Sequence, residues 1–140
     1  MSIVTKNIII PERLQKPLYD FINIFHKKGY ECYLVGGCVR DFLLGNETYD
    51  YDFATNARPE EVMNIFRKVV PTGIKHGTVT VLYGGMEFEV TTYRADGKYL
   101  DGRRPESVSF SDSLEEDVKR RDFTINGLAY DLLSNEIIDL

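Results

Sequence analysis

The sequence predicts an α+β domain, a small sheet backed by helices. Three observations carry that reading. Apolar residues recur at helical spacing between Leu14 and Phe25 and again between Val62 and Phe66. The stretches 78–83 and 86–93 alternate apolar and polar residues around Gly84-Gly85, which is the pattern of a two-residue hairpin. The apolar run 31–35 and the stretch around 50–55 are too brief for helices and read as strands.

Taken in order, Pro11 and Glu12 open the first helix, since proline is tolerated in the first turn and glutamate favours the positive end of the dipole. Leu14, Leu18, Phe21, Ile22 and Phe25 fall on one face, and Gly29 ends it. A short buried strand is expected over 31–35. Gly36-Gly37 then turns the chain into a brief helix, about 39–44, stopped by Gly45. The second strand carries Asp50 and Asp52. A helix starts at Pro59, with Glu60 and Glu61 in its first turn and Val62, Ile65 and Phe66 buried. In the strand 86–93, Phe88 and Val90 take one face while Glu87, Glu89 and Thr91 take the other. Residues 94–106 are rich in Gly, Asp, Arg and Pro and are expected to form a mobile loop. Ser113 and Glu116 have the spacing of a capping box opening a short helix through Arg120. Strands at 128–132 and 136–139 close the chain, turning at Ser134-Asn135.

At 140 residues the chain fits one domain, 1–140, long enough to bury a core. With 43% hydrophobic and 28% charged residues it has the composition of an ordinary globular protein. No run approaches the roughly 18 apolar residues of a membrane span, and no signal-peptide pattern is present. Cys32 and Cys38 have no metal-ligand partners at a useful spacing, so both are expected to be reduced thiols in a cytoplasmic protein, Cys32 in the core. A net charge of −5 is the wrong sign for gripping nucleic acid, although Arg103-Arg104 and Lys119-Arg120-Arg121 form small basic clusters. No linker or repeat is visible, and the ending Ile137-Ile138-Asp139-Leu140 reads as a cut within a larger protein.

The chemistry concentrates at Asp50 and Asp52. On an extended strand they share a face, with Tyr51 and Phe53 directed to the core. Adjacent carboxylates repel unless a cation lies between them, and hard oxygen ligands suit Mg²⁺, which completes its shell with water and substrate phosphates. Gly36 and Gly37, just upstream, allow a close backbone approach to a phosphate. This points to a metal-dependent nucleoside-triphosphate site. The bland alternative for a lone Asp-x-Asp is a solvated strand edge, and for His76 a turn residue rather than a general base. The tyrosines Tyr33, Tyr83 and Tyr130 fall in core-like strands rather than in a base-stacking surface.

Two blocks in series make the site more specific. The first is Val35-Gly36-Gly37-Cys38-Val39-Arg40-Asp41 through Leu43-Leu44-Gly45, followed by Asp50-x-Asp52-x-Ala54-Thr55. The second is Glu115-Glu116-Asp117-x-x-Arg120-Arg121-Asp122-Phe123-Thr124-Ile125-Asn126-Gly127. In this order they resemble the class II tRNA nucleotidyltransferases, the CCA-adding enzymes and bacterial poly(A) polymerases of the polymerase-β-like superfamily. The resemblance extends from about Tyr33 to Asp139.

The resemblance implies a polymerase-β-like palm, a small mixed sheet with the active site on its exposed face. It implies template-independent addition of CCA, from CTP and ATP, to the 3′ end of tRNA by two-metal phosphoryl transfer. Asp50 and Asp52 would hold Mg²⁺, and Gly36, Gly37, Arg40 and Arg121 would contact the nucleotide. Asp122 would anchor Arg121 or the ribose, or else serve as a cap or ion pair; Arg120 and Asp41 suit fold-holding salt bridges. Superfamily members often use a third carboxylate on a neighbouring strand, for which Glu89 is the candidate and Glu87 its neighbour on the same face. Residues 93–105 resemble the family's flexible loop, related there to the switch from adding C to adding A. Base choice and the grip on tRNA would belong to segments beyond Leu140, leaving the isolated piece weakly active or inactive. A poly(A) polymerase, or a CC- or A-adding enzyme, is the alternative within the same chemistry. A nucleotide- or RNA-binding module without turnover is the alternative outside it, and the Asp50/Asp52 pair argues against that.

Overall fold

The computed structural model describes residues 2–4, 12–36, 39, 41, 51–94, 110–119, 128–131 and 136–139. Among these, the strands are β1 (Ser2–Val4), β2 (Cys32–Val35), β3 (Tyr51–Thr55), β4 (Val69–Gly73), β5 (Thr78–Tyr83), β6 (Met86–Thr92), β7 (Leu128–Asp131) and β8 (Glu136–Asp139). The helices are α1 (Glu12–Lys27), α2 (Pro59–Ile65) and α3 (Leu114–Lys119), with one 3₁₀ turn at Ile74–His76. The strands form one mixed sheet in the order β1-β8-β7-β2-β3-β6-β5-β4. Its single parallel pair is β3 with β6, where Tyr51 opposes Phe88, Asp52 opposes Glu89 and Phe53 opposes Val90.

Helix α1 forms where the apolar spacing places it, and it buries Leu14, Leu18, Phe21, Ile22 and Phe25. These side chains cover one face of the sheet, meeting Leu34, Phe53, Val79, Val81, Phe88, Val90 and Tyr130. Phe21 is the hub: its ring lies 4.6 Å from Phe88, 4.9 Å from Phe53 and 5.0 Å from Phe66 between centroids. Such offset aromatic pairs add roughly 0.5–1.5 kcal/mol each beyond the burial of their area. The helix ends as expected, with Gly29 at φ +86° and its N–H donating to the His26 carbonyl at 3.0 Å.

Among the described residues, the opposite face carries the smaller share of the packing. Val35, Ala54, Tyr93, Leu114 and Ala129 form a second, smaller cluster there, which seats α3 against the sheet. The hairpin β5–β6 turns at Gly84 and Gly85, with φ of +59° and +77°, the twin positive angles a type I′ turn demands.

Several boundaries differ from the sequence reading. Glu31 lies outside β2, its N–H donating to the Asn56 side chain at 2.8 Å and its carbonyl accepting from Thr55. Phe66 is buried but follows α2 in extended backbone, and Ile65 is only half-buried. Strand β1, paired with β8, and strand β4 were not foreseen. The turn at 132–135, the residues around Gly45 and most of the loop at 94–106 lie outside the described residues; Val39 and Asp41 are helical.

The end of β3 is fixed by Thr55, which is fully buried. Its Oγ1 donates to the Glu31 carbonyl at 2.5 Å and accepts from the Ala57 N–H at 3.1 Å. Thr55→Val keeps the shape but leaves the Ala57 N–H unsatisfied in a dry environment, at a cost of about 1–3 kcal/mol. Chemical denaturation of the two proteins measures it; equal midpoints and slopes would show that water replaces the hydroxyl.

Candidate active site

Register builds the site. On the face away from α1, a row of residues crosses the sheet at one level: Ala129, Val35, Asp52, Glu89 and Thr80, each opposed in register to the next. Alternation directs their neighbours Leu34, Phe53, Phe88 and Val81 into the core below. Asp52 and Glu89 therefore stand on adjacent strands, whose backbones lie about 4.8 Å apart. Asp52 is half-buried and Glu89 exposed on that face. The sequence placed Glu89 opposite Phe88 and Val90, and the structure agrees. The parallel pairing then brings it beside Asp52.

Gly36 follows β2 directly and flanks the same spot. Its φ of +78° is left-handed, where side chains are strained, and a Cβ on it would stand 3.4 Å from Asp52 Oδ2. Its carbonyl accepts from the Val39 N–H at 3.2 Å, starting the helical residues that follow the strand. Glycine here leaves room over the carboxylate. Of the other residues the sequence singled out, Asp50, Gly37, Arg40, Arg120, Arg121, Asp122 and Cys38 lie outside the described residues. His76 is exposed in the 3₁₀ turn beside β5, fitting a turn residue. Thr80, opposite Glu89, was missed, although the alternation of Thr78 and Thr80 with Val79 and Val81 had signalled its face.

A cavity of about 450 Å³ lies at the other end of β2, lined by His26, Tyr30, Glu31, Cys32, Tyr33 and Asp131 among others. Its cysteine and tyrosine are shifted away from their ionised forms. Burial first, and then Asp131, raises the Cys32 thiol well above its usual value. Burial, with Glu31 next, pushes the Tyr33 phenol up to about 12. The neighbouring Tyr93 hydroxyl, also raised chiefly by burial, donates to Glu31 Oε1 at 3.1 Å. Neither the Cys32 thiol nor the Tyr33 phenol is activated there.

Two carboxylates side by side on a mixed sheet, next to a glycine turn, fit a nucleotidyltransferase palm of polymerase-β type, the fold of the solved structures this chain matches. The chain belongs to the family of the poly(A) polymerase head domain, whose model matches residues 32–140. It is 60% identical over 112 residues to the CCA-adding enzyme of Oceanobacillus iheyensis, an alignment covering 80% of this chain and 28% of that protein. In three dimensions it is similar to the Bacillus stearothermophilus CCA-adding enzyme crystallised in complex with CTP. That match has a TM-score of 0.79 and 45% identity, and covers 93% of this chain and 30% of that one. It is similar also to a tRNA nucleotidyltransferase complexed with a primer tRNA and an incoming ATP analog, with a TM-score of 0.62 and 33% identity, covering 84% of this chain and 33% of that one. The chain thus spans about a third or less of the length of each. Nucleotidyltransferases of this family normally work with a divalent metal. Among the described residues, no helix is long and apolar enough to cross a membrane.

Proposed function

We propose that this chain is the catalytic head of a template-independent tRNA nucleotidyltransferase that adds CCA, from CTP and ATP, to the tRNA 3′ end. The observation that carries the reading is the register pair Asp52–Glu89 beside the Gly36 turn, on the face the core leaves open. The similarity to CCA-adding enzymes, one in complex with CTP, supports the choice of reaction. The description of the family model as a head domain supports assigning residues 1–140 to the catalytic unit of a longer enzyme, and the free, buried Cys32 fits a cytoplasmic location.

The donor set suits Mg²⁺: hard carboxylate oxygens from Asp52 and Glu89 on adjacent strands, a type of ligand with which the ion keeps waters and takes substrate phosphates. Asp50 and Asp52 would hold it, with Glu89 as the third carboxylate. When bound, Mg²⁺ supplies charge neutralisation at the phosphates and acidifies the attacking hydroxyl. The chain's own residues do the positioning, which with electrostatics makes up most of the catalysis in phosphoryl transfer. Gly36 and Gly37 admit the triphosphate close to the backbone. Arg40 and Arg121 offer forked, charge-assisted bonds to its oxygens. Asp122 orients Arg121 or meets the ribose. With a net charge of −5, this head relies on other parts of the enzyme to hold tRNA, and alone it turns over weakly or not at all.

Because the matching family model is described as a poly(A) polymerase head domain, polymerisation of A is the second reading. The test is nucleotide incorporation by the full-length enzyme on tRNA lacking its 3′ end. Two C residues followed by a single A are expected. A run of A from ATP alone would favour the second reading, and no incorporation of either nucleotide would refute both.

A further inference from the structure

Arg58 plays no part in the residue rows just described, yet it makes more connections between separate parts of the fold than its place in a turn requires. It follows the Thr55-Asn56-Ala57 turn at the end of β3 and precedes α2, with its own N–H donating to Glu61 Oε1 at 2.9 Å. Its guanidinium reaches across to residues 110–112. Nη1 donates to the Ser111 carbonyl at 3.1 Å, and Nη2 lies 3.3 Å from Asp112 Oδ1. Its Cζ stands 5.5 Å from the centre of the Phe110 ring. That ring is held from below as well: a Cβ on Gly77 would come within 2.6 Å of it, so it lies directly on glycine backbone.

From there a chain of polar contacts runs to α3. The Ser113 N–H donates to Ser111 Oγ at 3.0 Å, and the Asp117 N–H donates to the Ser113 carbonyl at 3.2 Å. Asp117, fully buried, accepts from the Arg94 N–H at 3.0 Å, while Arg94 and Phe110 bridge as strand partners. The Asp112 carboxylate is 83% exposed, so the ion pair itself is worth little. The Ser111 carbonyl bond and the ring contact give the arginine its hold.

The helix so anchored lies on the catalytic face. Leu114 packs with Val35 and Ala54, the neighbours of Asp52 on β2 and β3. In sequence, α3 ends at Lys119, two residues before Arg121. We propose that Arg58 is a positioning residue for nucleotidyl transfer. By clamping residues 110–112 it fixes the start of α3 over the catalytic face, the helix that in sequence leads into the Arg120-Arg121 block. The proposal rests on reading that face as the transferase site.

The expected signature is a split in the kinetics. Asp52 and Glu89 are held side by side by the β3–β6 ladder, whereas the Arg58 guanidinium bonds to residues 111 and 112, so the chemical step is spared. Triphosphate binding in the ground state weakens, and that loss appears in KM with kcat largely kept. Weakening one charge-assisted contact to the triphosphate lowers its affinity by roughly tenfold or more. For Arg58→Ala in the full-length enzyme, a rise in KM of roughly tenfold or more for both CTP and ATP is expected, against a kcat within about threefold. Arg58→Lys keeps one donor and its charge and gives an intermediate KM. Phe110→Leu removes the ring beneath the guanidinium and shifts KM in the same direction.

Thermal unfolding of each variant is measured alongside. Unchanged KM values in Arg58→Ala, with activity falling only as folded protein is lost, would overturn the proposal and leave Arg58 a purely structural tie. An equal loss in kcat with KM unmoved would overturn it too. Asp52→Ala run in parallel separates the two levels. If it keeps turning over, the site reading fails; if it is inactive while Arg58→Ala keeps wild-type KM, only the role of Arg58 fails.

Discussion

Asp52→Ala is expected to abolish Mg²⁺-dependent nucleotide transfer in the full-length enzyme while leaving the head folded. A metal at the phosphates contributes several kcal/mol of transition-state stabilisation, and each 1.36 kcal/mol is a factor of ten, so a fall of roughly 10³-fold or more in kcat is anticipated. The apolar packing of the strand does not use this carboxylate. Asp52 stands on the open face beside Glu89, and removing one of two neighbouring carboxylates relieves their repulsion in the metal-free protein. The packing of β3 rests on Tyr51 and Phe53, whose side chains enter the opposite face among Phe21 and Phe88. Asp50→Ala is expected to match it in activity. Turnover assays with Mg²⁺, paired with thermal denaturation, check both halves. Near-normal turnover in either variant would remove that residue from the metal site, and a collapsed melting transition for Asp52→Ala would mean that the carboxylate holds the fold instead.

How far the site was legible follows from which interactions are local. Alternation along a strand is local, so the outward facing of Asp52 and of Glu89, and the burial of Tyr51, Phe53, Phe88 and Val90, could be read from spacing alone. The Gly84-Gly85 hairpin was equally visible, because its turn demands positive φ twice in succession. The adjacency of β3 and β6 was not. These strands are parallel, separated in sequence by α2, β4 and β5, and no residue between them announces the pairing. Strand β4 was hidden by its own composition, since Pro71 and Gly73 read as breakers. Both are tolerated because β4 is an edge strand whose pairing with β5 is irregular between Val70 and Gly73. β1 is three residues long and finds its partner β8 only at the far end of the sequence. Arg58 gave no signal at all: its partners Phe110, Ser111 and Asp112 lie over fifty residues away, and an arginine before a proline looks like any solvated turn.

Glu89→Gln is expected to lower kcat by roughly 10²-fold, about 2.7 kcal/mol, with nucleotide affinity retained, whereas Glu87→Gln stays close to the parent enzyme. The two glutamates share a face and are both exposed, so composition and alternation cannot separate them. Register can. Glu89 is opposed on one side by Asp52 and on the other by Thr80, which sets it in the carboxylate row. Glu87 is opposed by Leu82 near the hairpin turn, and the described β3–β6 ladder begins one residue after it, at Tyr51 and Phe88. The amide keeps the size and the hydrogen-bonding reach of the side chain, so a loss in Glu89→Gln reports the missing negative charge. Such a charge helps hold a divalent cation in the geometry the transition state needs more than in the ground state, which is why kcat rather than affinity should fall. Single-turnover incorporation by each variant, at saturating CTP and over a range of Mg²⁺, distinguishes them, and raising Mg²⁺ should recover part of the Glu89→Gln loss. If Glu87→Gln were the more damaged of the two, the third carboxylate would belong to Glu87, and the metal would sit nearer the start of β3.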